Sequence, residues 1–117
     1  MSCYFDSLSY FFHVDSKLLR NEICNYLESN AALMEGLDTK VILEIIDDDY
    51  IKKMRREETW AGAVEISATC NIWNISIMVH SSQMKPVIFE PLSKKPKHMI
   101  HLYWTGNHYQ PAEVKEQ

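Results

Sequence analysis

Apolar residues recur at helical spacing along the first quarter of the chain. Between Cys3 and Phe12 they fall three or four positions apart, with Ser2 as a suitable N-cap, and this pattern predicts a buried first helix. The segment KLLRNEICNYLESN repeats the spacing behind Asp15 and predicts a second helix. The segment DDDYIKKMRREE places acids before bases, as the helix dipole favours, and predicts a third helix that is mostly exposed.

The pattern of the second half of the chain predicts mainly strands. The segment GAVEISATCNIWN fits a helix, although its β-branched residues also allow a strand. ISIMVH then alternates with a period of two, and KPVIFEP and HMIHLYW continue as short strands bounded by proline and glycine. Helices first and strands afterwards predict one α+β domain over residues 1–117, with helices packed on a small central sheet and a frayed tail from about 111 to 117.

Composition narrows the classes of function. Hydrophobic residues make up 46% of the 117 and charged residues 24%, which is a globular balance. The net charge of −4 argues against nucleic-acid binding, and the one lysine cluster, at 94, 95 and 97, reads as a solvated loop. No apolar run reaches the roughly 18 residues of a membrane span and no signal peptide is recognisable, so we expect a cytoplasmic, monomeric protein without membrane contact.

Two residues suggest nucleophilic chemistry. Cys3 begins the first predicted helix, where backbone N–H groups and the helix dipole favour a thiolate. His108 follows a turn at Gly106 that can hold an imidazole rigidly, as the base that a thiol nucleophile needs. On the evidence of these two residues alone, a buried structural thiol and an unrelated surface histidine are a better interpretation than a catalytic pair. His98 and His101 fall on opposite faces of a strand, and the three cysteines lie far apart in sequence, so neither a metal site nor a disulfide is expected.

Three stretches in order strengthen the catalytic reading. CYFDSLSYFF, ETWAGAVEISATCNIWNISIMVH and HLYWTGNHYQP resemble the ovarian-tumour (OTU) family of cysteine deubiquitinases over nearly the whole chain. The resemblance implies a compact papain-like α+β fold, with Cys3 as nucleophile and His108 as general base. Trp60, Gly62 and Glu65 match the middle block, and we interpret them as structural: an indole that anchors a turn, a glycine that permits it and an acid in a helix's first turn.

The remaining site residues also follow from the resemblance. Gln110 stands where the family commonly has Asp or Asn, so it is the expected partner that orients the imidazole; an acid elsewhere, such as Asp6 or Glu65, is the alternative. The segment ahead of Cys3 differs from the family's Asp-Gly-x, which leaves the Cys3 backbone N–H and the side chain of Asn107 as the expected oxyanion donors. Tyr109 is either a core residue or a wall of the channel that receives a ubiquitin tail.

The resemblance implies a protease that cleaves the isopeptide bond after the tail of ubiquitin or a ubiquitin-like modifier, with no cofactor. The first alternative is a ubiquitin-binding module of the same fold with little or no turnover. The second is an interaction protein unrelated to ubiquitin, in which the three stretches match by coincidence.

Overall fold

A computed structural model describes residues 3–112, and for Cys3 the backbone alone. Five helices and four strands occupy this part of the chain. The helices are α1 (Cys3–Phe12), α2 (Ser16–Glu28), α3 (Thr39–Ile46), α4 (Tyr50–Met54) and α5 (Ala63–Trp73); the strands are β1 (Ser76–His80), β2 (Val87–Phe89), β3 (Met99–Trp104) and β4 (Tyr109–Ala112). The expected α+β class is confirmed.

The two N-terminal helices form where their spacing predicted. Tyr4, Phe5 and Leu8 of α1 are almost completely buried. The side chain of Asp15 accepts a hydrogen bond from the Lys17 N–H at 2.8 Å and caps α2, as expected. The predicted cap of α1, Ser2, lies outside the described residues.

The third predicted helix is only partly correct. Residues 47–58 contain a single short helix, α4, while α3 lies upstream in TKVILEII, where no helix was expected. The ambiguous segment before β1 is helical: α5 runs to Trp73 and ends at Asn74, which adopts a left-handed conformation with φ +53°.

The sheet has the strand order β2-β1-β3-β4, and β1 and β3 pair in parallel while the two outer strands pair antiparallel. Helix α5 packs against β1 and β2, and α1 packs against β4. The side chains of Ile77, Ile100 and Leu102 point from the sheet into the core beneath these helices. One face of the sheet is therefore covered by helices.

The prediction that the chain frays from about residue 111 needs a correction. Pro111 and Ala112, assigned to the frayed tail, belong to β4 and pair with Leu102 and His101. Because β4 is an edge strand, it tolerates a proline that donates no hydrogen bond. Residues 113–117 lie outside the described part. No helix within residues 3–112 is long and apolar enough to span a bilayer.

Candidate active site

A tight turn between β3 and β4 holds the backbone of His108. The Thr105 N–H donates to the His108 carbonyl oxygen at 2.9 Å, and the His108 N–H donates to Thr105 Oγ1 at 3.1 Å. Gly106 has φ +109°, a conformation that other residues rarely adopt, which confirms the turn expected there. The His108 side chain is exposed. The turn thus fixes the histidine's backbone and leaves its imidazole accessible.

The packing of α1 on β4 connects the two predicted catalytic residues. Tyr4 and Tyr109 meet edge to face, with ring centroids 5.5 Å apart and planes at 71°. Cys3 directly precedes Tyr4, and His108 directly precedes Tyr109. The chain neighbours of the predicted nucleophile and base are therefore in ring contact, although the Cys3 side chain lies outside the described residues.

Tyr109 is half-buried and packs on the core. Its ring lies 4.6 Å from that of Trp104, in addition to its contact with Tyr4. This packing supports the interpretation of Tyr109 as a core residue. A role in lining a substrate channel stays a prediction.

Trp60 differs from its expected role. Its side chain is 62% exposed, so it does not anchor a turn through burial. Its ring centroid lies 6.5 Å from that of His108, at an interplanar angle of 40°. The indole therefore lies beside the imidazole on the surface.

Glu65 organises the segment that carries Trp60. Its side chain is fully buried in the first turn of α5, where one carboxylate oxygen accepts from the Gly62 N–H at 2.7 Å and the other accepts from the Tyr50 hydroxyl at 2.5 Å. Burial raises the pKa of Glu65, and these two hydrogen bonds oppose the rise. Glu65 lies in the first turn of α5, as predicted. Its two hydrogen bonds also join α4 to the start of α5, which the sequence did not predict.

Gly62 is not required by its backbone conformation. Its φ is −140°, and a Cβ built at this position meets no heavy atom within 4 Å. The expectation that a glycine is needed to permit the turn is therefore wrong at this position. What Gly62 supplies is its backbone N–H, which any residue except proline also carries.

Asn107 directly precedes the histidine in the sequence, and Gln110 follows it by two residues. Gln110 is exposed on β4 opposite Tyr103, and among the described residues no hydrogen bond joins its amide to the His108 imidazole. The side-chain amide oxygen of Asn107 accepts a hydrogen bond from the Thr105 hydroxyl at 3.0 Å, which orients the Asn107 side chain within the turn. The roles predicted for both residues stay predictions.

The other two cysteines are unsuited to nucleophilic chemistry. Cys24 and Cys70 are fully buried free thiols. Burial raises the pKa of Cys24 to about 11 and that of Cys70 to about 12, so both are protonated thiols at neutral pH. They pack as small apolar side chains, which agrees with their positions on helical faces.

Sequence reasoning missed Arg20, a buried cation beneath α1. Its guanidinium donates to the carbonyl oxygens of Met54 at 2.6 Å and Glu57 at 3.0 Å, and it lies 4.2 Å from the centre of the Phe5 ring. Its place beside Leu19 on the apolar face of α2 was the available signal. Arg20 joins α1, α2 and the segment after α4 from inside the core.

Comparison with known families connects these features. The model of the OTU-like cysteine protease family matches residues 2–109, a range that includes Cys3, Glu65 and His108. The chain belongs to the OTU-like cysteine protease family. Coincidence is thereby excluded as the source of the three motif stretches.

Known OTU proteins resemble the chain in sequence and in fold. The OVARIAN TUMOR DOMAIN-containing deubiquitinating enzyme 7 of Arabidopsis thaliana is 29% identical over 98 residues, which span 83% of this chain and 25% of that protein. An OTU domain solved in complex with ubiquitin superposes with a TM-score of 0.72 at 22% identity, over 93% of this chain and 62% of that one. The viral OTU domain protease from Dera Ghazi Khan virus gives 0.71 at 21% identity, over 97% and 75%.

The chain thus spans a quarter of the plant OTU protein and less than two thirds of the ubiquitin-bound OTU domain. The structural matches establish the OTU fold, which confirms the compact papain-like architecture expected from the motifs.

Proposed function

We propose that the chain is a deubiquitinating cysteine protease that cleaves the isopeptide bond after the C-terminal tail of ubiquitin or a ubiquitin-like modifier. The observation that carries the proposal is the ring contact between Tyr4 and Tyr109, because each of these residues directly follows one member of the Cys3 and His108 pair. Family membership over residues 2–109 supports the same assignment.

The proposed reaction uses two groups of the chain in sequence. His108 accepts the proton of the Cys3 thiol, and the thiolate sulfur attacks the isopeptide carbonyl carbon to form a tetrahedral intermediate. The C–N bond then breaks, the leaving lysine amine takes the proton from the imidazolium, and a thioester remains on Cys3. His108 next deprotonates a water molecule that attacks the thioester, which releases the tail as a carboxylate and returns the proton to the thiolate.

Three residues are proposed to assist. Cys3 is the first residue of α1, and the N-terminal N–H groups of a helix have no partner within the helix. Its backbone N–H is therefore proposed as a donor to the oxyanion. The Asn107 amide is the second donor, supported by the hydrogen bond that orients its carbonyl oxygen. Tyr109 contributes a channel wall with its exposed edge. No cofactor is part of this mechanism.

One observation favours the alternative of a ubiquitin-binding module with little turnover. Within residues 3–112 no hydrogen bond joins the Gln110 amide to the His108 imidazole, and the His108 side chain is exposed. An imidazole without a partner for its second nitrogen is less well oriented, and its cationic form is less stabilised. If Gln110 is the orienting group, it has to move towards His108 when substrate binds.

A ubiquitin probe with a C-terminal electrophile tests the proposal. The protein should form a covalent adduct that Cys3→Ala abolishes, whereas Cys24→Ala should still be labelled, because Cys24 is a buried thiol. Ubiquitin-chain cleavage by the same samples then separates protease from module. Labelling without cleavage supports the module, and a probe adduct on Cys24 or Cys70 in folded protein contradicts the assignment of Cys3.

The partner assignments rest on the same proposal. Ubiquitin is proposed because OTU structures similar to this chain were solved in complex with it. Monomeric state, cytoplasmic location and the lack of nucleic-acid or membrane partners stay predictions from composition and charge.

A further inference from the structure

Two histidines face each other across the parallel pair of strands β1 and β3. His80 Nε2 and His101 Nδ1 are 2.9 Å apart, and the ring planes differ by only 26°. The ring centroids are 5.2 Å apart, which is about the longest separation that such a nitrogen contact permits, so the rings meet edge to edge. The expectation of no metal site considered His98 with His101; His98 lies before β3, and His101 instead faces His80.

The pair lies on the sheet face opposite the helices. Ile77 and Leu102 point into the core, and the alternation of a strand therefore directs their chain neighbours Met78 and His101 to the other face. In the pairing register, the residues nearest the two rings on this face are uncharged: Met78, Ile88, Tyr103, Gln110 and Ala112. Both histidines are half-buried, so water and ions reach them.

The contact between the two rings requires a nitrogen lone pair on at least one of them, so at least one imidazole of the pair is neutral. A neutral imidazole offers one lone pair, and which nitrogen carries it depends on the tautomer. In the present contact one ring donates its proton to the other, and moving that proton to the far nitrogen of its own ring exposes both facing lone pairs.

We propose that His80 and His101 form a binding site for a divalent transition-metal ion that prefers nitrogen ligands, namely Ni²⁺ or Cu²⁺. The ion takes the place of the shared proton and one ring changes tautomer, so binding to two neutral imidazoles releases no net proton. Within residues 3–112 no group of three or more His, Cys, Asp or Glu side chains converges, so water completes the coordination.

The spacing of the nitrogens selects the kind of ion. With metal–nitrogen bonds of about 2.0–2.1 Å, nitrogens 2.9 Å apart subtend about 90° at the metal. Square-planar and octahedral ions accept this angle, whereas tetrahedral Zn²⁺ prefers a wider one. In the present contact the two ring nitrogens point at each other, and a rotation of each ring about its Cβ–Cγ bond, a torsion with a broad minimum, turns both towards the solvent side.

Calorimetric titration of the untagged protein with Ni²⁺ tests the site. The Cys3→Ala background removes competition from the predicted catalytic thiol. One equivalent should bind, and His80→Ala or His101→Ala should each weaken the affinity at least about tenfold. His98→Ala is the matched control, because this exposed histidine lies three residues from His101 and outside the pair; it should leave the affinity unchanged. Equal losses in all three variants, or no loss in either pair variant, overturn the proposal.

A second readout guards against misfolding of the variants. Ni²⁺ should raise the midpoint of thermal unfolding of the Cys3→Ala protein, because an ion bound only by the folded state stabilises it. The same ion should not raise the midpoint of His80→Gln, whose fold is checked by circular dichroism. A rise of equal size in His80→Gln, or binding that persists unchanged about two pH units below neutrality, where imidazoles are protonated, contradicts the site.

Discussion

Removal of a single hydroxyl should test how Glu65 holds the start of α5. Tyr50→Phe deletes the group that donates to the buried Glu65 carboxylate at 2.5 Å and leaves the bond from the Gly62 N–H in place. Hydrogen bonds to charged groups contribute about 1.5–3 kcal/mol, and one of the two survives, so we expect a loss of about 2 kcal/mol. For a domain of this size the unfolding midpoint should fall by about 6–8 °C.

The loss should depend on pH in a defined direction. Burial raises the folded-state pKa of Glu65 above its ordinary value of 4.5, and the Tyr50 hydrogen bond lowers it. Tyr50→Phe therefore raises that pKa further. A carboxyl group with a raised folded pKa contributes stability that is fully present below the unfolded pKa and is lost as the pH rises through the folded pKa. The variant's deficit should be larger near about pH 7 than near about pH 4.

Urea unfolding at both pH values measures the effect, with Tyr103→Phe as the matched control. Tyr103 is a half-exposed tyrosine whose hydroxyl has no hydrogen bond to another described residue, so its loss should change the unfolding free energy by less than about 0.5 kcal/mol. An equal loss in the two variants, or a Tyr50→Phe deficit that grows towards acid, refutes the role assigned to the carboxylate.

Three further outcomes are expected. Tyr4→Phe removes a buried hydroxyl bonded to Thr69 at 2.7 Å and should lower the unfolding free energy by about 1–1.5 kcal/mol, measured by urea unfolding. Iodoacetamide at about pH 8 should leave Cys24 and Cys70 unmodified until the protein unfolds, because their pKa values are raised to about 11 and 12; peptide mapping by mass spectrometry checks this. Trp60→Ala, at a 62% exposed position, should leave stability within about 0.5 kcal/mol but slow labelling by the ubiquitin probe, measured as a rate.

Local patterns predicted most elements, and the exceptions have physical causes. The helix α3 was missed because VILEII within it is mostly apolar and β-branched, a composition that suits a strand as well as a helix. Strand β4 was missed because it is four residues long and contains proline; only its pairing with β3 makes it a strand. The helical identity of α5 was left open by spacing and is decided by packing against the sheet.

The candidate site also combines residues predicted from the sequence with contacts that were not predicted. The order of three motif stretches leads to the prediction of Cys3 and His108, because each motif is local, and their catalytic roles stay predictions. The partners of Glu65 and His80 were not predictable, since Tyr50 lies in a different helix and His101 in a different strand. No local signal encodes contacts that exist only after the helices and strands have assembled.

The packing of α1 on β4 also has a consequence for synthesis. The predicted nucleophile and base are about a hundred residues apart, and the ordering of that loop costs about 4 kcal/mol of closure entropy, which only late-forming contacts such as the Tyr4 and Tyr109 pair offset. A nascent chain still on the ribosome carries Cys3 long before His108 has been translated. In the proposed mechanism the thiol therefore has no base until the edge strand emerges and docks, so a partly made protein would be unable to attack ubiquitin conjugates around it.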